Sequence, residues 1–298
     1  TGEVCVSDRQ GENRKTICKI PSYVIPAEVF FSGDAMFITY NIAYEMVEIK
    51  DDYGNSEWIL GEPKDEDTCG IVMVDLSDGS CTQIFRQEAY NGRISKYDVR
   101  NGHVYFQFFY LDIPYVGPNL ETYGPSGAIP DGLTVENYWE EMPKHQWEDV
   151  YDYDLHTGEL KPVLTKVQGG TVVFCEESFA VAEKATGTTR LYNYNGELIC
   201  RLNFEISSGV HTDSGLVCIA KDESEVYKLV DEKTGQIMKQ TTISYGKMLV
   251  STIIGGSCYG IVKSSNGYGA GYLSEADFWA GKYENAIVFN VFNETNGY

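Results

Sequence analysis

The sequence lacks any long apolar run, and no window approaches the roughly 18 consecutive apolar residues of a membrane-spanning helix. Basic residues are also scarce, since 23 Lys and Arg stand against 44 Asp and Glu, for a formal charge of −21. A nucleic-acid backbone or an anionic membrane surface attracts basic proteins, so this balance argues against both partners. A charge of this sign and size is typical of an exposed or secreted protein.

Cysteines are few as well: eight in 298 residues do not make a disulfide scaffold, and no Cys/His cluster has zinc-site spacing. Cys5 and Cys18 lie symmetrically about a turn near Gln10-Gly11, which predicts facing positions on a hairpin. They would then be close enough for a disulfide in an oxidising compartment. Four others lie in apolar strand-like runs, where buried reduced thiols are expected: Cys175, Cys200, Cys218 and Cys258.

The short motifs of catalysis are missing too. There is no GxSxG nucleophile elbow, no Ser/His/Asp constellation that the sequence supports, and no DxDxDG calcium loop. We therefore predict no resident cofactor, with calcium held by acidic loop residues as the alternative.

What the chain does have is a repeat aligned on a turn glycine. The copies are VMVDLSDGSCTQIF, VYDYDLHTGELKPVL, LYNYNGELICRL and VYKLVDEKTGQIMKQ, around Gly79, Gly158, Gly196 and Gly235. The last three glycines are 38 and 39 residues apart. Each period resolves into four short strands, which is the signature of a β-propeller blade.

We predict a single all-β domain over residues 1–298, a β-propeller with five complete four-stranded antiparallel blades. Their first strands begin near Glu28, Ile94, Thr171, Ile206 and Lys247. The leading segment VCVSDRQGENRKTICKI resembles the outer hairpin of a further blade. We favour six blade positions with this one incomplete; the alternative is five, with the hairpin packed beside the final blade to close the ring.

The pattern hydrophobic-Tyr-x-hydrophobic-Asp/Asn-x-x-x-Gly at Val150–Gly158, shortened at Leu191–Gly196, resembles that of TolB-like propellers. It is similar above all to uncharacterised propeller domains of bacterial surface lipoproteins. The Gly-His and Trp-Asp marks of WD40 blades are missing. The resemblance implies a bacterial, extracellular or cell-surface binding domain, often lipid-anchored, and implies no catalytic residues.

Two long insertions, residues 42–70 and 111–149, separate the second and third strands of the first two blades. In an up-and-down blade these connections open on the same face, so we expect both insertions there. A third, residues 275–285, points the opposite way and is predicted to hold a short helix with Ser274 as its N-cap. Long loops in a compact domain are usually functional or mobile.

The residues predicted to bind a ligand lie on that shared face. Aromatic rings come from the insertions and further groups from the connections between blades, near the channel mouth. The alternative is that the rings only pack the insertions onto the blades. The candidates are Trp58, Tyr115, Tyr123, Tyr138, Trp139 and Trp147, with Tyr90, Arg93, Gln168 and Tyr245.

We interpret the protein as a monomeric, non-catalytic extracellular binding module whose ligand is a glycan or a protein partner. One alternative is a polysaccharide-active hydrolase or lyase that uses a pair of acidic residues from the insertions. Another is a scaffold that contacts a surface assembly edge-on. The acidic candidates are Asp65, Glu66, Asp67, Glu140, Glu141, Glu148 and Asp149.

Overall fold

The structure is a computed structural model that describes residues 2–20, 25–50, 53–54, 56–114, 132–168, 170–213, 215–221, 223, 226–243, 247–264 and 267–292. Almost all of these residues are in strands or turns, so the all-β prediction is confirmed. The chain divides into two compact units, residues 1–168 and 169–298. No helix in the described part is long and apolar enough to cross a membrane.

The first unit contains a two-stranded hairpin followed by a seven-stranded antiparallel sheet in chain order. The hairpin is β1 (Gly2–Val6) and β2 (Lys15–Ile20). The sheet is β3 (Ile25–Ser32), β4 (Ala35–Lys50), β5 (Ser56–Asp75), β6 (Cys81–Arg100), β7 (His103–Leu111), β8 (Gln146–Asp154) and β9 (Leu160–Val167). Because β6 is shared, the sheet comprises two four-stranded blades.

The first insertion is not the irregular loop that the sequence predicts. β4 and β5 stay paired far beyond the blade, with Tyr44 opposite Pro63 and Lys50 opposite Ser56. The segment is therefore a long two-stranded ribbon with register shifts on both sides of Tyr44. Since a hairpin satisfies its own backbone hydrogen bonds, a long insertion between antiparallel strands is readily accommodated in this form.

The predicted loop between the first two blades is also replaced by strand. β6 pairs with β5 up to Ala89 and with β7 from Tyr90 onward. The change of partner lies between Ala89 and Tyr90, and it is followed by Asn91, which has a φ of 50°; Asn is one of the few residues that tolerate this region. Tyr90 and Arg93 therefore lie on a continuous strand rather than on a connecting loop.

The second insertion contains a short helix that the sequence reading missed. Helix α1 (Val135–Glu141) begins with a capping box in which Thr134 and Asn137 bond reciprocally to each other's backbone. A 3-10 turn, Met142–His145, leads directly into β8. Strand β8 starts at Gln146, four residues before the strand that the sequence predicts, so Glu148 and Asp149 are strand residues.

The second unit contains three four-stranded antiparallel meanders, each in chain order. The first is β10 (Val172–Phe174), β11 (Ser178–Glu183), β12 (Thr188–Asn193) and β13 (Leu198–Leu202). The second is β14 (Ile206–Thr212), β15 (Leu216–Ala220), β16 (Val226–Val230) and β17 (Ile237–Thr242). The third is β18 (Met248–Ile254), β19 (Ser257–Ser264), β20 (Gly267–Ser274) and β21 (Ile287–Phe292).

The described strands form four-stranded antiparallel meanders, which are the element of a propeller blade, whereas the number of blades and the closure of a ring stay predictions. The first strands of neighbouring blades, β14 and β18, pair in parallel at His211–Thr252 and Thr212–Ile253. The predicted short helix is confirmed as α2 (Glu275–Trp279), whose N-cap Ser274 accepts a hydrogen bond from the backbone N–H of Asp277.

The N-terminal hairpin packs on the first blade. Val4 and Ile17 contact the apolar face formed by Met36, Ile38 and neighbouring side chains. Gly79, in the β5–β6 turn, has a φ of +78°, and a Cβ there would lie 2.7 Å from the Ile17 side chain. The turn glycine of this repeat is therefore required both by its backbone conformation and by the hairpin packed against it.

The cysteine predictions have mixed outcomes. Cys5 is a free thiol, because a register shift after Val4 pairs it with Thr16 and places Cys18 opposite Val4. The predicted facing arrangement of the two cysteines is therefore wrong. Cys175, Cys218 and Cys258 are buried free thiols as predicted, whereas Cys200 is only half-buried.

Candidate functional site

The structure describes part of the predicted ligand-binding set. Tyr115, Tyr123 and Tyr245 lie outside the described residues, as does the side chain of Trp58, whose backbone pairs with Glu48 in the ribbon. The acidic side chains of 65–67 fall outside the description as well.

Tyr138 is an interior residue of the insertion, so its prediction as a ligand contact is wrong. Its side chain is fully buried in a small cluster with Ile113, flanked by Leu133 and Met142. The hydroxyl donates a hydrogen bond to the backbone carbonyl of Pro114 at 2.8 Å. A long insertion needs a core of its own, and this ring provides it.

The neighbouring Trp139 has the opposite environment. It remains 39% exposed on α1 and packs edge-on against Tyr138, with the ring centroids 5.3 Å apart. Successive residues of a helix point in different directions, so burial of one of two adjacent aromatics leaves the other at the surface.

A shared carboxylate fixes the end of the insertion to β8. Asp112 accepts a hydrogen bond from the Trp147 indole Nε1–H at 2.7 Å through Oδ2, and its Oδ1 lies 2.7 Å from His145 Nδ1. Because a carboxylate can only accept here, Nδ1 of His145 carries the proton. Gln168 adds a third link through its side-chain amide, which donates to the carbonyl of Lys144 at 2.7 Å.

Cations lie over two of the aromatic rings in this region. The Arg93 guanidinium lies 4.0 Å above the Phe109 ring, and the Lys166 ammonium lies 5.8 Å from the Trp147 ring. Arg93 and Gln168 are exposed, whereas Tyr90 and Trp147 are half-buried. The structure thus links Trp147 and Gln168 to the same insertion, whereas Arg93 lies on β6, which β7 separates from the strand of Trp147.

The carboxylates beside the insertion are less accessible than the sequence suggests. Asp149 is buried, where it accepts hydrogen bonds from the Lys166 N–H at 2.7 Å and the Tyr151 hydroxyl at 3.3 Å. Burial raises the pKa of Asp149 despite these bonds, and burial also raises the pKa of Tyr110 and Tyr151 to about 12. Glu148 is buried as well.

The two remaining acidic candidates lie on the surface. Glu140 is exposed on α1, and Glu141 pairs with the Lys144 ammonium at 2.7 Å. Among the described residues, no three His, Cys, Asp or Glu side chains are grouped to hold a metal ion.

A second site, which the sequence reading missed, is an acidic cavity of about 390 Å³ among the turns of the second unit. Glu232 is buried at its wall and accepts hydrogen bonds from the Ser178 hydroxyl at 2.7 Å and the Glu177 N–H at 3.0 Å. Lys233 pairs with Glu177 at 3.0 Å. Glu177 and Glu232 are 55 residues apart in sequence, so their proximity could have been predicted only from the alignment of neighbouring blades.

No family model and no curated protein matches the chain. Similar solved structures include TolB from Acinetobacter baumannii, with 17% identity over 91% of this chain and 56% of that one, at a TM-score of 0.36. BamB from Moraxella catarrhalis gives 13% identity, 78% and 66% coverage, and a TM-score of 0.39.

An acylaminoacyl peptidase from Pyrococcus horikoshii gives 10% identity over 91% of this chain, at a TM-score of 0.49. The chain spans less than half of that peptidase, 46% of its length. TolB, after which the predicted resemblance is named, is among these similar structures.

Proposed function

We propose that the protein is a non-catalytic binding module whose partner is another protein. The partner contacts the insertion surface, defined here as Trp139 of α1 with the polar groups that fix the insertion to its blade. Those groups are Asp112, Lys144, His145, Trp147 and Gln168.

The observation that carries this proposal is an exposed indole on a fixed support. Trp is enriched among the residues that dominate protein interfaces. The support is held by the buried Tyr138 beneath the helix and by Asp112 at its end. A surface that is already ordered loses less conformational entropy when a partner binds, which favours affinity.

A protein partner has more support than a glycan. A glycan platform would present several rings beside polar groups, yet Tyr138 is buried and the Trp147 N–H is bonded to Asp112. Trp139 is exposed, as is Tyr53 of the first insertion, but Tyr138 and Trp147 of the second insertion are not, so the described rings of the second insertion do not form an exposed platform. Glycan binding is therefore an alternative outcome of the test below.

The hydrolase alternative loses support at its best-placed carboxylates. Glycoside hydrolysis needs two carboxyl groups that converge on one bond from about 5 to 10 Å apart. Glu148 and Asp149 are both buried, and as successive strand residues they point to opposite faces of the blade. We also propose an extracellular or cell-surface setting, which the charge of −21 supports.

The test is site-specific photo-crosslinking in the organism that encodes the protein. A benzophenone amino acid replaces Trp139 in one variant and Phe289 in the control. Phe289 is 59% exposed against 39% for Trp139, so exposure alone would favour crosslinking at the control position. We expect a discrete crosslinked protein from position 139 that is absent from position 289.

In a second experiment, the unmodified protein and the Trp139→Ala and Phe289→Ala variants are applied to a glycan array. Equal crosslinking at both positions, or none at 139, would contradict the proposal. Glycan binding that is lost in Trp139→Ala but kept in Phe289→Ala would replace the protein partner by a carbohydrate.

A further inference from the structure

The acidic cavity of the second unit lies among the β10–β11, β14–β15 and β16–β17 turns of two neighbouring meanders. Its volume of about 390 Å³ falls in the range of about 300–1,000 Å³ that is typical of small-molecule pockets. Among the described residues that line it, Lys233 is the one base against five carboxylates. These carboxylates are Glu176, Glu177, Asp213, Asp231 and Glu232.

Glu232 is the one buried member of this group, with 7% of its surface exposed. The hydrogen bonds that it accepts from the Ser178 hydroxyl and the Glu177 N–H both end on Oε2. Its other oxygen, Oε1, accepts no hydrogen bond from the described residues and is accessible from the cavity. Because a negative charge that is largely removed from water requires a counter-charge or further donors, Oε1 indicates a cationic ligand with N–H groups.

The distribution of the carboxylates favours an organic cation over a metal ion. They come from three different turns, and within the described ranges no three acidic, Cys or His side chains are grouped to hold a metal. Apolar side chains also line the cavity, namely those of Leu229, Val230 and Met238. A hydrated metal ion gains nothing from such a wall, whereas a chain of methylene groups buries apolar surface against it.

An amine of this chain already pairs with one of the carboxylates. The Lys233 ammonium lies 3.0 Å from a carboxylate oxygen of Glu177, and the two side chains are 74% and 60% exposed. An exposed ion pair of this kind contributes little to stability, so a ligand amine can replace it at little cost. The pair therefore shows that the edge of the cavity accepts an alkylammonium group.

We propose that the acidic cavity binds a linear aliphatic polyamine. One ammonium group donates to Oε1 of Glu232 and others pair with carboxylates of the neighbouring turns, while the methylene groups lie against Leu229 and Met238. Spaced positive charges on an aliphatic chain match carboxylates that are spread over three turns. The site shares no residue with the insertion surface, so this proposal and the proposed protein partner can fail independently.

The test is isothermal titration calorimetry of the complete chain with spermidine in about 150 mM NaCl, which screens the long-range attraction of the acidic surface. We expect one saturable site. Binding should be weaker by about fivefold or more in Glu232→Gln, which keeps an acceptor for Ser178 but puts an NH₂ group in the place of Oε1. It should be tighter by about twofold or more in Lys233→Ala, because the competing ammonium is removed.

Glu205→Gln is the matched control, because it removes the same charge in the second unit but outside the cavity, where Glu205 pairs with Lys221. Its affinity for spermidine should stay within about twofold of that of the unmodified protein. Thermal unfolding of each variant confirms that it is folded. If Glu232→Gln fails to fold, Lys233→Ala still decides, because unchanged or weaker binding there would overturn the proposal.

Two further probes are titrated, MgCl₂ and the lysine peptide acetyl-KGK-amide, and we expect both to bind more weakly than spermidine. The absence of saturable spermidine binding, or equal weakening in Glu232→Gln and Glu205→Gln, would overturn the proposal. Tighter binding of Mg²⁺ would replace the polyamine by a metal ion. Tighter binding of the peptide would replace it by a lysine side chain of a partner protein, and either result would overturn the small-molecule ligand.

Discussion

The two units are built from the same four-stranded element but differ in length and charge. The first, residues 1–168, carries 29 acidic and 13 basic residues, whereas the second, residues 169–298, carries 15 and 10. Three strands of the first unit run for 16 or 20 residues, whereas strands of the second unit run for 3–8. The first unit also holds the insertion with Trp139.

The core of each unit contains the same kind of aromatic contact. Phe106 on β7 contacts Tyr151 on β8 with the ring centroids 5.3 Å apart, and Phe179 on β11 contacts Tyr192 on β12 at 5.6 Å. In each case the Phe is on the second strand of a blade and the Tyr on the third. The difference therefore resides in strand extensions and loops, where new binding surfaces arise without repacking the core.

The largest expected effect tests this equivalence of cores. Phe106→Ala and Phe179→Ala each remove a fully buried ring, so each should lower the free energy of unfolding by about 3–5 kcal/mol. Urea unfolding followed by circular dichroism measures both values.

Phe289→Ala is the control, and as an exposed position it should change the free energy of unfolding by less than about 0.5 kcal/mol. If one of the two buried positions cost no more than this control, the cores would not be equivalent.

A smaller effect on the free energy of unfolding is expected at Glu232 and Asp112, two carboxylates that each accept hydrogen bonds from two groups. Glu232 is 7% exposed and accepts a hydrogen bond from the fully buried Ser178 hydroxyl. Glu232→Ala therefore leaves a buried donor unsatisfied. We expect a loss of about 1–3 kcal/mol. Asp112 also bridges two groups, but its side chain is 41% exposed. Water can replace it, and Asp112→Ala should cost about 1 kcal/mol or less.

Lys233→Ala serves as the local control for the first substitution. It removes an exposed ion pair with Glu177 beside the same cavity and should cost under about 1 kcal/mol. A cost for Asp112→Ala above that of Glu232→Ala would contradict the assignment of the insertion as a surface element.

The sequence predicted the repeated parts well because their signals are local. Strand β15, Leu216–Ala220, has the predicted bounds, and Ser274 caps α2 as its position before acidic residues indicated. The turn glycines Gly158 and Gly235 set the register of their blades, and both have positive φ.

The insertions were predicted less well because their structure depends on tertiary contacts. Nothing local distinguishes Tyr138 from Trp139, yet one lies against Ile113 and the other faces solvent. Asp112 and Trp147 are 35 residues apart, and their hydrogen bond follows from the docking of the insertion. The acidic cavity at Glu232 needed the blade register and was missed for the same reason.

The smallest expected effect is a pH dependence with opposite signs at two kinds of aspartate. Two turn residues, one in each unit, have a pKa below the ordinary value of 3.8: backbone N–H bonds lower the pKa of Asp154, and the Thr234 hydroxyl together with backbone N–H bonds lowers that of Asp231. They stabilise the fold above that value, and this contribution is lost as the pH falls through the lowered pKa. Asp149, by contrast, lies beside the insertion of the first unit, and burial raises its pKa. Its contribution is therefore greatest when it is protonated and falls as the pH rises from 3.8 towards its raised pKa.

Asp→Asn substitutions at these positions should separate the two signs. Asp154→Asn and Asp231→Asn should each make stability depend less steeply on pH below about pH 4, because a group that binds more protons in the unfolded state is removed. Asp149→Asn should make the rise of stability with pH steeper above about pH 4, because the opposing group is removed. Urea midpoints measured from pH 3 to 6 give the three slopes. A flatter profile in Asp149→Asn would mean that its hydrogen bonds to Lys166 and Tyr151 outweigh its burial. The predicted difference in sign between Asp149 and the turn residues Asp154 and Asp231 would then be wrong.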